Sequence, residues 1–139
     1  MAGSRESAIA LARAQGIFYV VTGIWPILSM RTFECVTGPK TDRWLVKTAG
    51  ALIAVIGGTL VLGARRGVIA PELRFLGGAS AASLAVVDLV YALRGRISKV
   101  YLLDAAVEIA IVAAWMRREQ QNEPPARGEV TPQPRPGGS

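Results

Sequence analysis

Four long apolar stretches, separated by short charged segments, constrain this chain more than any other feature of its sequence. They cover about residues 9–30, 46–64, 73–93 and 100–116. A helix of about 20 predominantly apolar residues crosses the hydrocarbon core of a bilayer, and each stretch is close to that length. Basic residues mark the ends of the stretches, where their long side chains can reach water. The pattern predicts an all-α integral membrane protein, folded as an antiparallel four-helix bundle over 9–118.

Composition excludes several classes of protein. The chain of 139 residues has no His and a single Cys, Cys35, so the usual zinc, haem and blue-copper ligand sets and a catalytic His are all excluded. We therefore expect no metal and no cofactor. The formal net charge of +6 does not indicate nucleic-acid binding, because the basic residues lie beside apolar segments rather than together on a polar face.

The two ends of the chain have a different character from its centre. Residues 1–8 are predicted to be an N-terminal extension. Residues 119–139 are rich in Pro, Gly, Gln and charge, and so little apolar surface predicts a disordered tail. Arg13 and Gln15 interrupt the first stretch, and no small-residue cleavage site precedes Arg31. We therefore expect a retained helix rather than a cleaved signal peptide.

The basic residues also predict an orientation in the membrane. Four spans place both termini on one side. The terminal regions and the loop after the second span contain nine basic residues, and the other two loops contain seven. Basic residues near span ends favour the cytoplasmic side, which predicts cytoplasmic termini in a bacterial inner membrane.

Small residues recur along the second stretch. Gly50, Ala54 and Gly58 lie in one row with a spacing of four residues, which is typical of close helix packing in a bilayer. The row can pack against another helix of this chain or against a second copy in a homo-oligomer. Membrane lipids are the other expected partners.

Acidic residues inside the apolar stretches are the strongest functional signal. Asp88 lies in the third stretch, and Asp104 and Glu108 lie in the fourth. A charged group near the bilayer centre costs at least about 2.5–3.5 kcal/mol, so such residues indicate function by default. In an antiparallel hairpin Asp88 and Asp104 have similar depth, and Glu108 is one turn beyond Asp104 on the same face. With Tyr91 and Tyr101 nearby, they form a candidate site for a ligand or a proton.

Each acid also has a structural interpretation. The helix dipole can stabilise Asp104 near the start of its helix, and Asp88 can pair with Arg94 or Arg96. Glu108 has no Lys or Arg at its depth, so it is expected to be protonated or to be hydrogen-bonded. The candidate partners are Thr22, Tyr19 and a carbonyl near Pro26, where the helix is expected to kink. The loop at 31–47 opens on the same side and can cap a polar cavity.

Residues 18–115 resemble short bacterial membrane proteins with four predicted helices and no assigned activity. The resemblance rests on Trp25 and Pro26, Phe33, the segment 38–44 and the segment 104–108. The overall shape is also similar to DoxX-like proteins. This resemblance implies the four-helix fold but assigns no functional residue. Small multidrug transporters are similar in size, but their membrane-embedded Glu lies in the first helix, where this chain has no acid.

Three hypotheses for the function follow from these observations. The first is a non-enzymatic membrane protein that binds a lipid, an apolar ligand or a partner helix in its bundle. The second is a proton-coupled transporter or channel subunit that uses the three acids. The third is an intramembrane enzyme in which the acids perform acid–base chemistry.

Overall fold

A computed structural model describes residues 2–120 as an all-helical chain with no strand in that range. Its helices are α1 (Ala2–Leu28), α2 (Met30–Thr37), α3 (Arg43–Arg65), α4 (Pro71–Leu93) and α5 (Tyr101–Gln120). The all-α prediction is confirmed. Nearly all of the predicted C-terminal tail, residues 121–139, lies outside the described residues. Residues 119 and 120, which were assigned to the tail, end α5.

Three of the described helices are long and apolar enough to cross a membrane. They span Gly3–Leu28, Arg43–Arg65 and Pro71–Leu93. Helix α5 is not among them, because every stretch of 18 residues within it contains Asp104, Glu108, Arg117 and Arg118. The prediction of four apolar helices therefore holds for three helices, and the position of α5 depends on where its acids point.

Helix α1 begins earlier than the sequence pattern indicated. Residues 2–8, which were predicted to be an extension, form its first turns. The reason is tertiary, because Ala8 is only 1% exposed and packs in an apolar cluster with Ala12, Ala64, Ile69 and Trp115. A helical turn is needed to bring Ala8 and Ala12 to the same face.

A short helix, α2, follows α1 after a single residue. Ser29 caps α2, and its side chain accepts a hydrogen bond from the backbone N–H of Thr32. The Trp25 indole donates to the Thr32 hydroxyl at 2.9 Å. Pro26 lies in the last turn of α1, where its missing N–H affects only the end of the helix. Within the predicted loop at 31–47, residues 31–37 therefore belong to α2, residues 43–47 begin α3, and residues 38–42 connect the two helices.

Glycines allow α1 and α3 to pack very closely. A Cβ built on Gly57 would lie 2.6 Å from the carbonyl oxygen of Gly16, and Gly50 faces Gly23 in the same way. Ala54 also packs against Gly23, whereas a Cβ on Gly58 would meet no atom within 4 Å. Gly50 and Ala54 of the predicted row therefore pack against α1 of the same chain. Gly57 makes the close contact that was expected of Gly58. The homo-oligomer through this row stays a prediction.

Helices α4 and α5 form the second closely packed pair, and α1 connects them to α3. One connection is a buried polar group that we call the Gln15 cluster, composed of Gln15, Gly77 and Trp115. Gln15 Nε2 donates to the carbonyl oxygen of Gly77 at 2.8 Å. The Trp115 indole donates to Gln15 Oε1 at 2.8 Å. The cluster joins three helices next to the apolar cluster around Ala8 and Ala12.

Candidate functional site

A cavity of about 230 Å³ lies where the five helices converge, with α2 at its end. Its walls are mostly apolar, and the side chains of Phe18, Phe33, Ile53 and Leu84 contribute to them. Its polar lining includes three carboxyl groups and two phenols, and no Lys or Arg is among the described residues that line it. A cavity with apolar walls and few convergent polar groups is typical of a small-molecule site.

The three acids predicted from the sequence do converge. Asp88, Asp104, Glu108 and Tyr101 all line this cavity. Tyr91, one turn after Asp88 in α4, does not line it and is 47% exposed. Four of the five candidate site residues are therefore brought together, and Tyr91 is left on the surface.

Glu108 is held by a hydrogen bond from another helix. Tyr19 donates its hydroxyl to Glu108 Oε2 at 2.7 Å, and each residue is 1% exposed. The structure thus selects Tyr19 among the three partners predicted for Glu108. The bond joins α1 to α5, and its length is typical of an O–H donor and a carboxylate acceptor.

Asp88 and Asp104 form the less satisfied part of the site. The two carboxyl groups interact directly across α4 and α5. Asp88 is 6% exposed, yet its Oδ2 atom has no hydrogen-bond partner among the described residues. Neither Arg94 nor Arg96 pairs with Asp88 among the described residues, so the predicted pairing is absent from this part of the chain. Asp104 lies in the first turn of α5, as the dipole interpretation required, and it faces the cavity as well.

Residues of α1 complete the site, and three of them were predicted from the sequence only as candidate partners of Glu108. Gln15, Tyr19, Thr22 and Pro26 recur at helical spacing and so share one face of α1. The last three of these line the cavity, and Gln15 forms the neighbouring polar cluster. A polar stripe through an apolar helix marks the face that points into the bundle.

Helix α2 and the following turn, here called the cap, lie at one end of the cavity, and the predicted capping role stays a prediction. Phe33 of α2 lines the cavity. Glu34 accepts hydrogen bonds from Arg43 Nη2 at 2.8 Å and from the backbone N–H of Lys40 at 3.1 Å. The hydrogen-bonded Arg43 guanidinium lowers the pKa of Glu34 below its ordinary value. The Lys40 ammonium lies 4.8 Å from the centre of the Tyr101 ring. The cap therefore contacts α3 through Arg43 and α5 through Tyr101.

Two residues near the cap are exposed. Trp44 is 70% exposed, and Cys35 is a free and exposed thiol. The described residues contain no group of three or more His, Cys, Asp or Glu side chains placed to hold a metal ion.

Comparison with known proteins adds no assignment. No family model matches this chain, and neither a curated protein nor a solved structure shows significant similarity to it. The resemblance to short four-helix bacterial membrane proteins therefore stays a prediction, and any function must be argued from the site itself.

Proposed function

We propose that this protein is an integral membrane protein with four spans, in which α2 lies at one end of the bundle. Large apolar side chains are exposed along all four long helices, which suits contact with lipid rather than water. They include Ile17 and Val21 on α1, Leu52, Val55 and Leu62 on α3, Val86 and Val87 on α4, and Leu103, Val107 and Ile109 on α5.

Helix α5 is compatible with this arrangement despite its charges. Its two acids point inward, since Glu108 is buried and Asp104 lines the cavity. Every exposed residue between 102 and 116 is apolar: Leu103, Ala106, Val107, Ile109, Ala110 and Met116. Mean hydropathy counts the acids wherever they point, whereas a bilayer is sensitive only to the groups that face it.

In this membrane-spanning arrangement, the protein binds a small, largely apolar ligand in the cavity next to α2. The observation that carries this proposal is the cavity itself, with apolar walls and three carboxyl groups at one place. The other end of the bundle favours binding over continuous passage. There the Gln15 cluster has partners for both polar atoms of the Gln15 side chain, and it lies against tightly packed apolar residues.

Native mass spectrometry of the detergent-extracted protein tests this function. Wild type should retain a stoichiometric small molecule. Leu84→Trp fills the cavity and should abolish the adduct, whereas Leu52→Trp, on the exposed face of α3, should leave it unchanged. An adduct that persists in Leu84→Trp, or its absence from wild type, contradicts the proposal.

A proton-coupled carrier is the second candidate, and one observation favours it. Asp88, Asp104 and Glu108 line a single cavity, so three groups that can exchange protons lie next to the ligand space. In proteoliposomes containing a pH-sensitive dye, such a carrier should collapse an imposed pH gradient when the retained molecule is added. Glu108→Gln should abolish this flux, and Glu72→Gln at the exposed start of α4 should not. A gradient that persists with wild type excludes the carrier.

The orientation can be tested with the native thiol. We propose that both termini are cytoplasmic, which places α2 and Cys35 on the outer side. Because Cys35 is exposed and is the only cysteine, a membrane-impermeant maleimide should label it in intact cells. Cys35→Ser gives the background. Labelling that requires permeabilised cells reverses the proposed orientation.

A further inference from the structure

We propose that the ligand is a lipophilic organic cation, with an ammonium head at Asp88 and Asp104 and an apolar body against the aromatic and aliphatic walls. This inference rests on the proposed binding function and specifies its ligand class. The two can fail separately in the experiment described below.

The ionisable side chains that line the cavity are acidic or phenolic, and none of those described is basic. Three carboxyl groups line it, and no Lys or Arg is among its described lining residues. Buried charges in proteins are normally paired, because an isolated one is costly. The described part of this chain supplies no cation for these acids, so a cationic ligand is the complementary partner.

Hydrogen bonding indicates where the head group lies. Glu108 already accepts the Tyr19 hydroxyl at 2.7 Å. Asp88 is 6% exposed and its Oδ2 atom has no partner, while the carboxyl group beside it, Asp104, is another acceptor. Two acceptors side by side are satisfied by a group with positive charge, and an ammonium is such a group. The Asp88 and Asp104 pair is therefore the expected position of the head.

The remaining walls suit the body of such a ligand. Phe18, Phe33 and Tyr101 contribute aromatic rings, and aromatic faces attract cations as well as apolar groups. The volume of about 230 Å³ is below the usual range for drug-sized ligands, about 300–1,000 Å³, so the ligand is small. Lys40 is the cation beside the rim, where its ammonium lies 4.8 Å from the Tyr101 ring centre and donates to the Thr37 carbonyl at 3.1 Å.

A pair of isosteric probes separates charge from shape. Benzyltrimethylammonium carries a positive nitrogen where neopentylbenzene has a neutral carbon. Binding of both to the full chain in lipid nanodiscs can be measured by saturation-transfer NMR. Wild type should bind the cation saturably and at least about tenfold more tightly than the neutral probe, because the carboxyl groups attract the positive nitrogen and not the neutral carbon.

Three variants locate the head group. Asp88→Asn should weaken binding of the cation by about 30-fold, the effect of removing one partner of a buried charge pair, and leave the neutral probe unaffected. Glu72→Gln, which neutralises an exposed acid outside the cavity, should change neither affinity. Lys40→Met should tighten binding of the cation several-fold, since it removes the positive charge beside Tyr101.

The outcomes distinguish the two proposals. Equal affinities for the two probes, or an Asp88→Asn variant that still binds the cation as wild type does, overturn the cationic ligand while the apolar binding function stands. If neither probe binds saturably and Leu84→Trp retains the same adduct as wild type, both proposals fail.

Discussion

Two buried polar clusters join α1 to the α4 and α5 hairpin, and they differ in how their polar atoms are satisfied. In the Gln15 cluster, each polar atom of the Gln15 side chain has a partner at 2.8 Å. In the acid cluster, formed by Asp88, Asp104 and Glu108, the Asp88 Oδ2 atom has no partner among the described residues. Buried polar groups are normally hydrogen-bonded, and an exception calls for an explanation.

This difference suits the Gln15 cluster to a role in stability and the acid cluster to a role in ligand binding. A fully satisfied cluster specifies how the helices pack, so the Gln15 cluster is the part of the interface that stabilises the bundle. An unsatisfied acid contributes little to stability and is available to a ligand. The helices thus have a closed end that stabilises the fold and an end with a cavity that can bind.

The largest expected effect comes from removing the side-chain amide of the satisfied cluster. Gln15→Leu keeps the size of the side chain but leaves the Trp115 indole N–H buried without an acceptor. We expect a loss of about 2–3 kcal/mol in the free energy of unfolding, measured by SDS titration in mixed micelles. Thr22→Val is the control in the same helix, because the Thr22 hydroxyl donates to the nearby Phe18 carbonyl within α1. Equal losses in the two variants would contradict a special role for Gln15.

Adding one methyl group to the same cluster should have the next largest effect. A Cβ at position 77 would lie 2.9 Å from Trp115 Nε1 and 3.0 Å from Gln15 Oε1. We therefore expect Gly77→Ala to destabilise the protein by about 1–3 kcal/mol, measured by the same titration. Gly78→Ala is the matched control, since its Cβ would come no closer than 3.9 Å to the atoms around it. If Gly78→Ala is equally destabilised, contact with the Gln15 cluster is not the cause, because replacing Gly by Ala in itself favours a helix.

The acid cluster should respond in the opposite direction. Asp88→Asn replaces an acceptor by an amide that can donate to Asp104, so we expect the free energy of unfolding to rise by about 1 kcal/mol. The same variant should lose affinity for benzyltrimethylammonium. Circular dichroism during SDS titration measures the first effect. A destabilisation as large as that of Gln15→Leu would show that both clusters are structural.

The smallest effect concerns the cap above the cavity. Arg43 lowers the pKa of Glu34 in the folded protein, so the ion pair stabilises the fold at pH values above the ordinary Glu range. This contribution is lost as the pH falls below about 4.3 and through the lowered pKa. Thermal unfolding should therefore distinguish wild type from Glu34→Gln at pH 6 but not at pH 2.5. Because Arg43 is 65% exposed, high salt should also reduce the difference. A difference that is unchanged at low pH would contradict this account.

Much of the fold and part of the site could be predicted because the relevant signals are local. Apolar runs and their charged ends located α1, α3 and α4 to within a few residues at most boundaries, and hairpin geometry placed Asp88 and Asp104 at one depth. The short helix α2 was not predicted, because Ser29 caps it within a segment of mixed polarity. The early start of α1 was missed because it depends on burial of Ala8 against distant residues.

The sequence by itself determined that the chain is helical, that its helices are apolar, and that three acids lie within them. The tertiary structure alone decided which way each helix faces. The Tyr19 and Glu108 pair spans 89 positions and the Gln15 and Trp115 pair spans 100, so no local pattern can specify either. The rotation of a helix depends on close packing with its neighbours, here on Gly16, Gly23, Gly50 and Gly57. Helix α4 has its own close contact, Gly77 against Gln15 and Trp115, and its rotation turns Asp88 into the cavity and leaves Tyr91 outside it.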